Sequence, residues 1–273
     1  MTVVNEAGAT ARRAARSKWL ERLTRVGLVG YGVTHVIVGW IALELAFGKA
    51  PAEGDQSGAF KTLASQPTGK WLLGLVIVGL VAMMVWQALE AAVGHIEERG
   101  RSRTFERIGS AGKTVFYGYL AYTAAVVLVG SAGSSGDRQQ QKTSTMLDST
   151  GGRWLVGLIG LAIIAVGAGM IWYGATKRFE KNLRDGGMQQ QVRKSARSLG
   201  VVGYAAKGTV YGTLGILVLV AAVQYDPGKS RGLDQALRTL AAQPAGDFLL
   251  IAVALGIAAF GVFCLFQARY RKI

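Results

Sequence analysis

Apolar residues run through this chain in long blocks, separated by short polar stretches. The first block, Val26 to Phe47, holds 22 residues without a Lys, Arg or Asp. At about 1.5 Å per residue it makes roughly 33 Å of helix, enough to cross a hydrocarbon core of about 30 Å. Blocks of similar length recur, and the pattern predicts six transmembrane helices at 26–47, 71–94, 109–130, 154–175, 199–223 and 248–268.

The blocks repeat in pairs. Gly27, Gly109 and Gly200 align, and so do Gly30, Gly112 and Gly203 three residues on. The second helix of each pair opens on Gly69-Lys70-Trp71, Gly152-Arg153-Trp154 or Gly246-Asp247-Phe248. Before it, Thr62-Leu63-Ala64-Ser65-Gln66-Pro67 matches Thr239-Leu240-Ala241-Ala242-Gln243-Pro244, while the middle copy has lost the proline. A proline cannot continue a preceding helix but suits the start of the next. Leu233, Ala236, Leu237 and Leu240 recur at helical spacing, so each lead-in is expected to form a short surface helix, most weakly in the middle copy. Trp71 and Trp154 then belong at headgroup level.

These patterns predict an all-α membrane protein. Six transmembrane helices form three tandem two-helix repeats, at about 25–95, 107–176 and 198–270, within a membrane domain spanning 25–273. Each repeat enters and leaves on one side, so the copies are parallel and suggest a pseudo-three-fold bundle. Residues 1–24 form a basic tail, in which Ala11 to Leu23 is either a surface amphipathic helix or disordered. Twenty-two apolar residues exceed a signal-peptide core, so the first span is expected to be retained.

Charge supplies orientation. Of 31 Lys and Arg, twenty lie in residues 1–25, the 95–108 and 176–198 loops and the C-terminal end, against nine in the alternate loops. Basic residues collect on the cytoplasmic side, so both termini are expected there. The net charge of +15 fits anionic lipid rather than nucleic acid.

The 38 glycines point to close helix packing, with Gly27, Gly30, Gly109, Gly112, Gly200 and Gly203 as the expected contact positions. Four ionisable residues, His35, Glu90, Lys113 and Lys207, fall in the basic-side half of the spans, where such groups are costly. They form a candidate polar pocket for an anionic headgroup or small anion. The plainer reading has both lysines reaching for the interface while Glu90 neutralises one of them. His35 and His95 lie at mismatched depths, so no bis-His haem is expected. With one cysteine, Cys264, and two histidines, neither a disulfide nor a metal site is expected. No P-loop, nucleophile elbow or zinc spacing is present, and no catalytic or cofactor-binding residue is assigned.

The G-x-x-G-Y openings at Gly27–Tyr31 and Gly200–Tyr204, the lead-in Gly232–Arg238 and the end Gln267–Arg271 resemble the domain of unknown function family 1206 over about residues 24–272. The resemblance implies a bacterial, mostly actinobacterial, membrane protein with three two-helix repeats, and carries no activity. The leading expectation is therefore a non-enzymatic structural or accessory membrane component. Its expected partners are membrane lipids and either another membrane protein or further copies of itself. The alternative is a transporter of a small solute, ion or lipid through the polar layer.

Overall fold

The computed structural model describes residues 18–48, 53–93, 100–130, 133–149, 151–183 and 188–271. Most of the basic tail, His95 and Lys272 lie outside those residues.

Among the described residues six helices have 24 residues or more: α1 (Lys18–Ala46), α3 (Gly69–Val93), α4 (Gly100–Leu128), α6 (Gly152–Ala175), α7 (Gln190–Gln224) and α9 (Gly246–Tyr270). Three shorter ones precede the second helix of each repeat: α2 (Gln56–Ala64), α5 (Ser135–Leu147) and α8 (Leu233–Ala241). The middle lead-in, the weakest in sequence, is the longest of the three at 13 residues. Five long helices are apolar enough to cross a membrane, which fits a multi-pass membrane protein. The sixth, α4, has the length, but Arg101, Arg103, Glu106, Arg107 and Lys113 fill its first half.

The turn into each second helix explains one repeated glycine. A Cβ on Gly69, Gly152 or Gly246 would lie 1.7, 1.6 or 1.9 Å from the carbonyl oxygen of Leu63, Met146 or Ala241. Only a residue without a side chain lets the chain turn that tightly.

Between repeats, α3 packs on α4, α6 on α7 and α9 on α1. On the second helix of each pair these interfaces use equivalent positions. Gly261 lies against Gly32, Gly167 against Gly208 and Gly212, and Met84 against Gly118. Within repeats, α1 packs on α3 and α7 on α9, whereas α4 and α6 share no extended contact. The three-fold likeness is therefore broken, and the ring of six helices is open along one seam.

The lead-in helices close one end of the bundle as a ring. Ser135 of the second lead-in donates to Glu53 and Asp55 of the first. Gly54 N–H donates to Asp234 of the third at 2.8 Å. Arg231 meets Asp137 at 2.5 Å, and Ser230 bonds Thr143 at 2.6 Å, joining third to second. Both Trp71 and Trp154 are exposed beside this face.

At the opposite, terminal end, arginines at equivalent positions cap a neighbouring helix. Arg25 donates to the carbonyls of Ala268 and Arg269 at the end of α9. Arg107 does so for Ala91 and Ala92 at the end of α3. These contacts satisfy the carbonyls a helix end leaves over. The third equivalent is Ser198, and α6 ends differently, in a 3₁₀ turn over Arg178–Asn182.

Candidate functional site

Lys207 sits in the middle of the bundle. It projects from α7 toward α1 and α9 and is 6% exposed. Its Nζ donates to the Tyr31 hydroxyl at 2.8 Å and lies 4.1 Å from the centre of the Phe260 ring. Ring faces attract a cation, and more strongly when water is excluded. No carboxylate pairs with it among the described residues. A buried cation without a counter-charge is costly, and one hydrogen bond uses a single donor of three.

His35 lies beside it, 2% exposed, its ring 4.3 Å from Tyr31 and 5.0 Å from Phe260. Its Nδ1 donates to the Tyr31 carbonyl at 2.8 Å. That bond fixes the tautomer and leaves Nε2 with its lone pair, buried and without a partner. Thr34 is satisfied by its own helix, donating to the Gly30 carbonyl.

Tyrosines and one arginine extend this centre to the terminal face. Tyr31 packs edge-on against Tyr117 of α4 at 5.7 Å, and Tyr204 of α7 packs edge-on against Phe260 at 5.2 Å. Beyond them lies Arg271, its guanidinium 4.8 Å from the Trp86 ring and its Nε buried without a partner. Its backbone pairs with Leu183 as an isolated bridge. It is within electrostatic reach of Lys113 and Tyr117 on α4, Tyr173 on α6 and Tyr204 on α7. The interior between Lys207 and Arg271 thus presents cations and hydroxyls.

Of the four ionisable residues picked out in the sequence, His35 and Lys207 meet. Glu90 does not reach Lys207, whose place beside it is taken by the phenol of Tyr31. Lys113 is on the exposed side of α4, in electrostatic reach of Glu106, Glu90 and Arg271.

The six glycines divide likewise. A Cβ on Gly27 would lie 2.3 Å from the Gly79 carbonyl oxygen, and one on Gly203 2.6 Å from the Phe260 backbone. Gly30 meets Val76, and Gly200 meets Phe179. A Cβ on Gly109 or Gly112 would have nothing within 4 Å. The sequence supplies the reason. Met83 and Phe260, which face the glycines of repeats 1 and 3, are replaced in repeat 2 by Val166. Likewise Trp86 and Phe263 become Gly169. Too little side chain is left to bridge α4 and α6.

Phe179 ties the end of α6 to repeat 3 instead. From the 3₁₀ turn after α6 it inserts into the terminal end of the bundle, 0% exposed, stacked on Tyr204 at 5.7 Å and edge-on to Phe263 at 5.0 Å. Glu180 anchors the turn, accepting from Arg197 at 2.6 and 2.9 Å, with Arg193 3.9 Å away. Those hydrogen bonds hold its carboxyl below the ordinary 4.5. Sequence reasoning missed Phe179, because one aromatic among basic residues carries no periodicity. It also missed Arg271, whose charge fits any loop at the end of a span. Tyr31 stood in the repeated G-x-x-G-Y opening, the one available signal.

Known proteins add the following. Residues 26–94, 108–177 and 202–271 each match the family described as Domain of Unknown Function (DUF1206). The chain is 29% identical over 257 residues to the "Uncharacterized protein YxxB" of Bacillus subtilis (strain 168), covering 93% of this chain and 92% of that one. No solved structure matches.

Proposed function

Because the chain belongs to the DUF1206 family, whose description assigns no activity, we infer its function from the site itself: it binds an anionic ligand inside the membrane, without catalysis. The observation that carries this reading is Lys207, buried with no carboxylate in reach among the described residues. A cation in that setting is stabilised when an anion joins it, and every intramembrane ionisable group is first a functional candidate. Tyr31, Tyr117 and Tyr204 add hydroxyls that can donate to the same anion. This favours the ligand-handling alternative over a purely accessory role.

In this reading α4 is the sixth span. Its stretch from Gly109 to Leu128 crosses beside α3, with Lys113 near one edge of the core, while the charged turns before it stand in the interface. The protein resides in the bacterial plasma membrane with both termini cytoplasmic. The terminal face, with Arg271 and the Phe179 turn, then looks into the cytoplasm.

The test is extraction of the tagged protein in native-lipid particles, with mass spectrometry of everything bound. An anionic species retained near one per chain by the wild type and lost from Lys207→Met is the expected result. A stoichiometric protein partner with no such species would restore the accessory role. A C-terminal reporter found outside the cell would reverse the orientation.

A further inference from the structure

The ligand of Lys207 can be specified further, on the reading just given, from the broken symmetry of the bundle. We propose that the seam between α4 and α6 is a lateral groove holding the acyl chain of an amphiphile, whose phosphate monoester head is taken by Lys207 and His35.

Three observations meet here. The first is the seam itself. On α4 its wall runs through Gly112, Val115, Tyr119 and Tyr122, with all three side chains exposed. On α6 the equivalents of Val253, Phe260 and Phe263, which are buried on α9, are Ile159, Val166 and Gly169, and the side chains of Ile159 and Val166 are exposed. No charge lies on either of these strips, so they suit a hydrocarbon chain.

The second is continuity with the charged interior. Tyr117 projects from α4 and Tyr173 from α6, so both helices that flank the seam reach the region of Arg271. In repeats 1 and 3 the equivalent passage is filled by Met83 and Trp86 or by Phe260 and Phe263. In repeat 2 the same positions are Val166, which is exposed, and Gly169, where a Cβ would have nothing within 4 Å.

The third is the polarity of the two deepest groups. Lys207 has donors to spare, whereas Nε2 of His35 is an acceptor without a donor. A monoanionic phosphate monoester offers both complements, charged oxygens for the ammonium and one P–OH for the imidazole. A fully ionised carboxylate would leave Nε2 as it is. The same head could come from a membrane lipid or from a soluble phosphate, and the tail groove distinguishes them.

Dodecyl phosphate and inorganic phosphate, both radiolabelled, serve as probes against the full chain in particles of zwitterionic lipid. The variants are Gly169→Phe, which restores the residue of repeat 3, Gly112→Leu on the opposite wall, and Lys207→Met. Neither glycine has an atom within 4 Å of its Cβ position, so both seam variants are expected to fold. If one does not, the other decides. The wild type is expected to bind dodecyl phosphate at least tenfold more tightly than inorganic phosphate. Gly169→Phe and Gly112→Leu should each bring that ratio near one by weakening only the dodecyl ester. Lys207→Met should weaken both probes. If both seam variants keep the tenfold preference while Lys207→Met loses both probes, the groove is overturned and the anion site stands. Binding unaffected by Lys207→Met, or binding of neither probe, overturns both.

Discussion

Repeats 2 and 3 share one plan and reach different ends. In repeat 3, α7 and α9 meet along Gly203, Ala206, Gly256 and Phe260, with a Cβ on Gly256 falling 2.4 Å from that of Ala206. In repeat 2 the same positions are Gly112, Val115, Ala162 and Val166, and α4 and α6 do not close. The comparison teaches that small residues permit close packing without producing it. Gly203 is useful because Phe260 fills the space it leaves. Gly112 has no such partner, and in lipid an unfilled contact gains nothing from hiding apolar surface. Repeat 2 is held instead through its neighbours, α4 on α3 and α6 on α7, and at its ends by the Ser135 contacts of the lead-in face and by Phe179 and Glu180 at the terminal face.

Three experiments break or sharpen that contrast. The largest effect is expected from Phe179→Ala, which empties the packed site where the turn after α6 meets α7 and α9. Removing a fully buried phenylalanine costs about 3–5 kcal/mol, and denaturant titration in detergent would show it. Removing Trp172, exposed on α6, is the matched control and should leave the midpoint within about 0.5 kcal/mol. An equal loss from both would mean that Phe179 is no anchor.

Next comes a paired substitution. Gly203→Leu drives a side chain into the Phe260 backbone and is expected to cost about 1–3 kcal/mol or more. Gly112→Leu, at the equivalent place in repeat 2, should be neutral in the same unfolding assay. Equal destabilisation would show the seam to be closed.

The smallest effect concerns pH. Arg197 lowers the Glu180 carboxyl, so the bond contributes stability above the ordinary 4.5 and loses it as pH falls through the lower folded value. The wild type should therefore lose stability on acidification through that window more steeply than Glu180→Gln. Parallel curves would assign the acid sensitivity elsewhere. The magnitude is modest because Arg197 is half-exposed and screened by solvent.

Much of the scaffold was legible in the chain. Apolar blocks of about 22 residues need a membrane and have to form helices there, since backbone groups find no water to bond. The repeated glycine at the head of each second helix was visible, and the turn it serves follows from its missing Cβ. The apolar faces of the lead-in helices followed from spacing, with Ala236, Leu237 and Leu240 all buried.

What the sequence by itself determined about this protein is thus its kind and its parts: long apolar helices, paired three times, with basic residues at one end. Only the tertiary structure decided which parts meet. Depth along a helix counts by residue, but rotation and neighbours do not. So Lys207 and Glu90, judged to lie at one depth, are apart, while Lys207 finds Tyr31 from another repeat, 176 residues away. The open seam shows the same limit. Val166 and Gly169 are ordinary residues for a membrane helix, and their smallness becomes a gap only beside the faces of Gly112 and Val115 that they fail to fill.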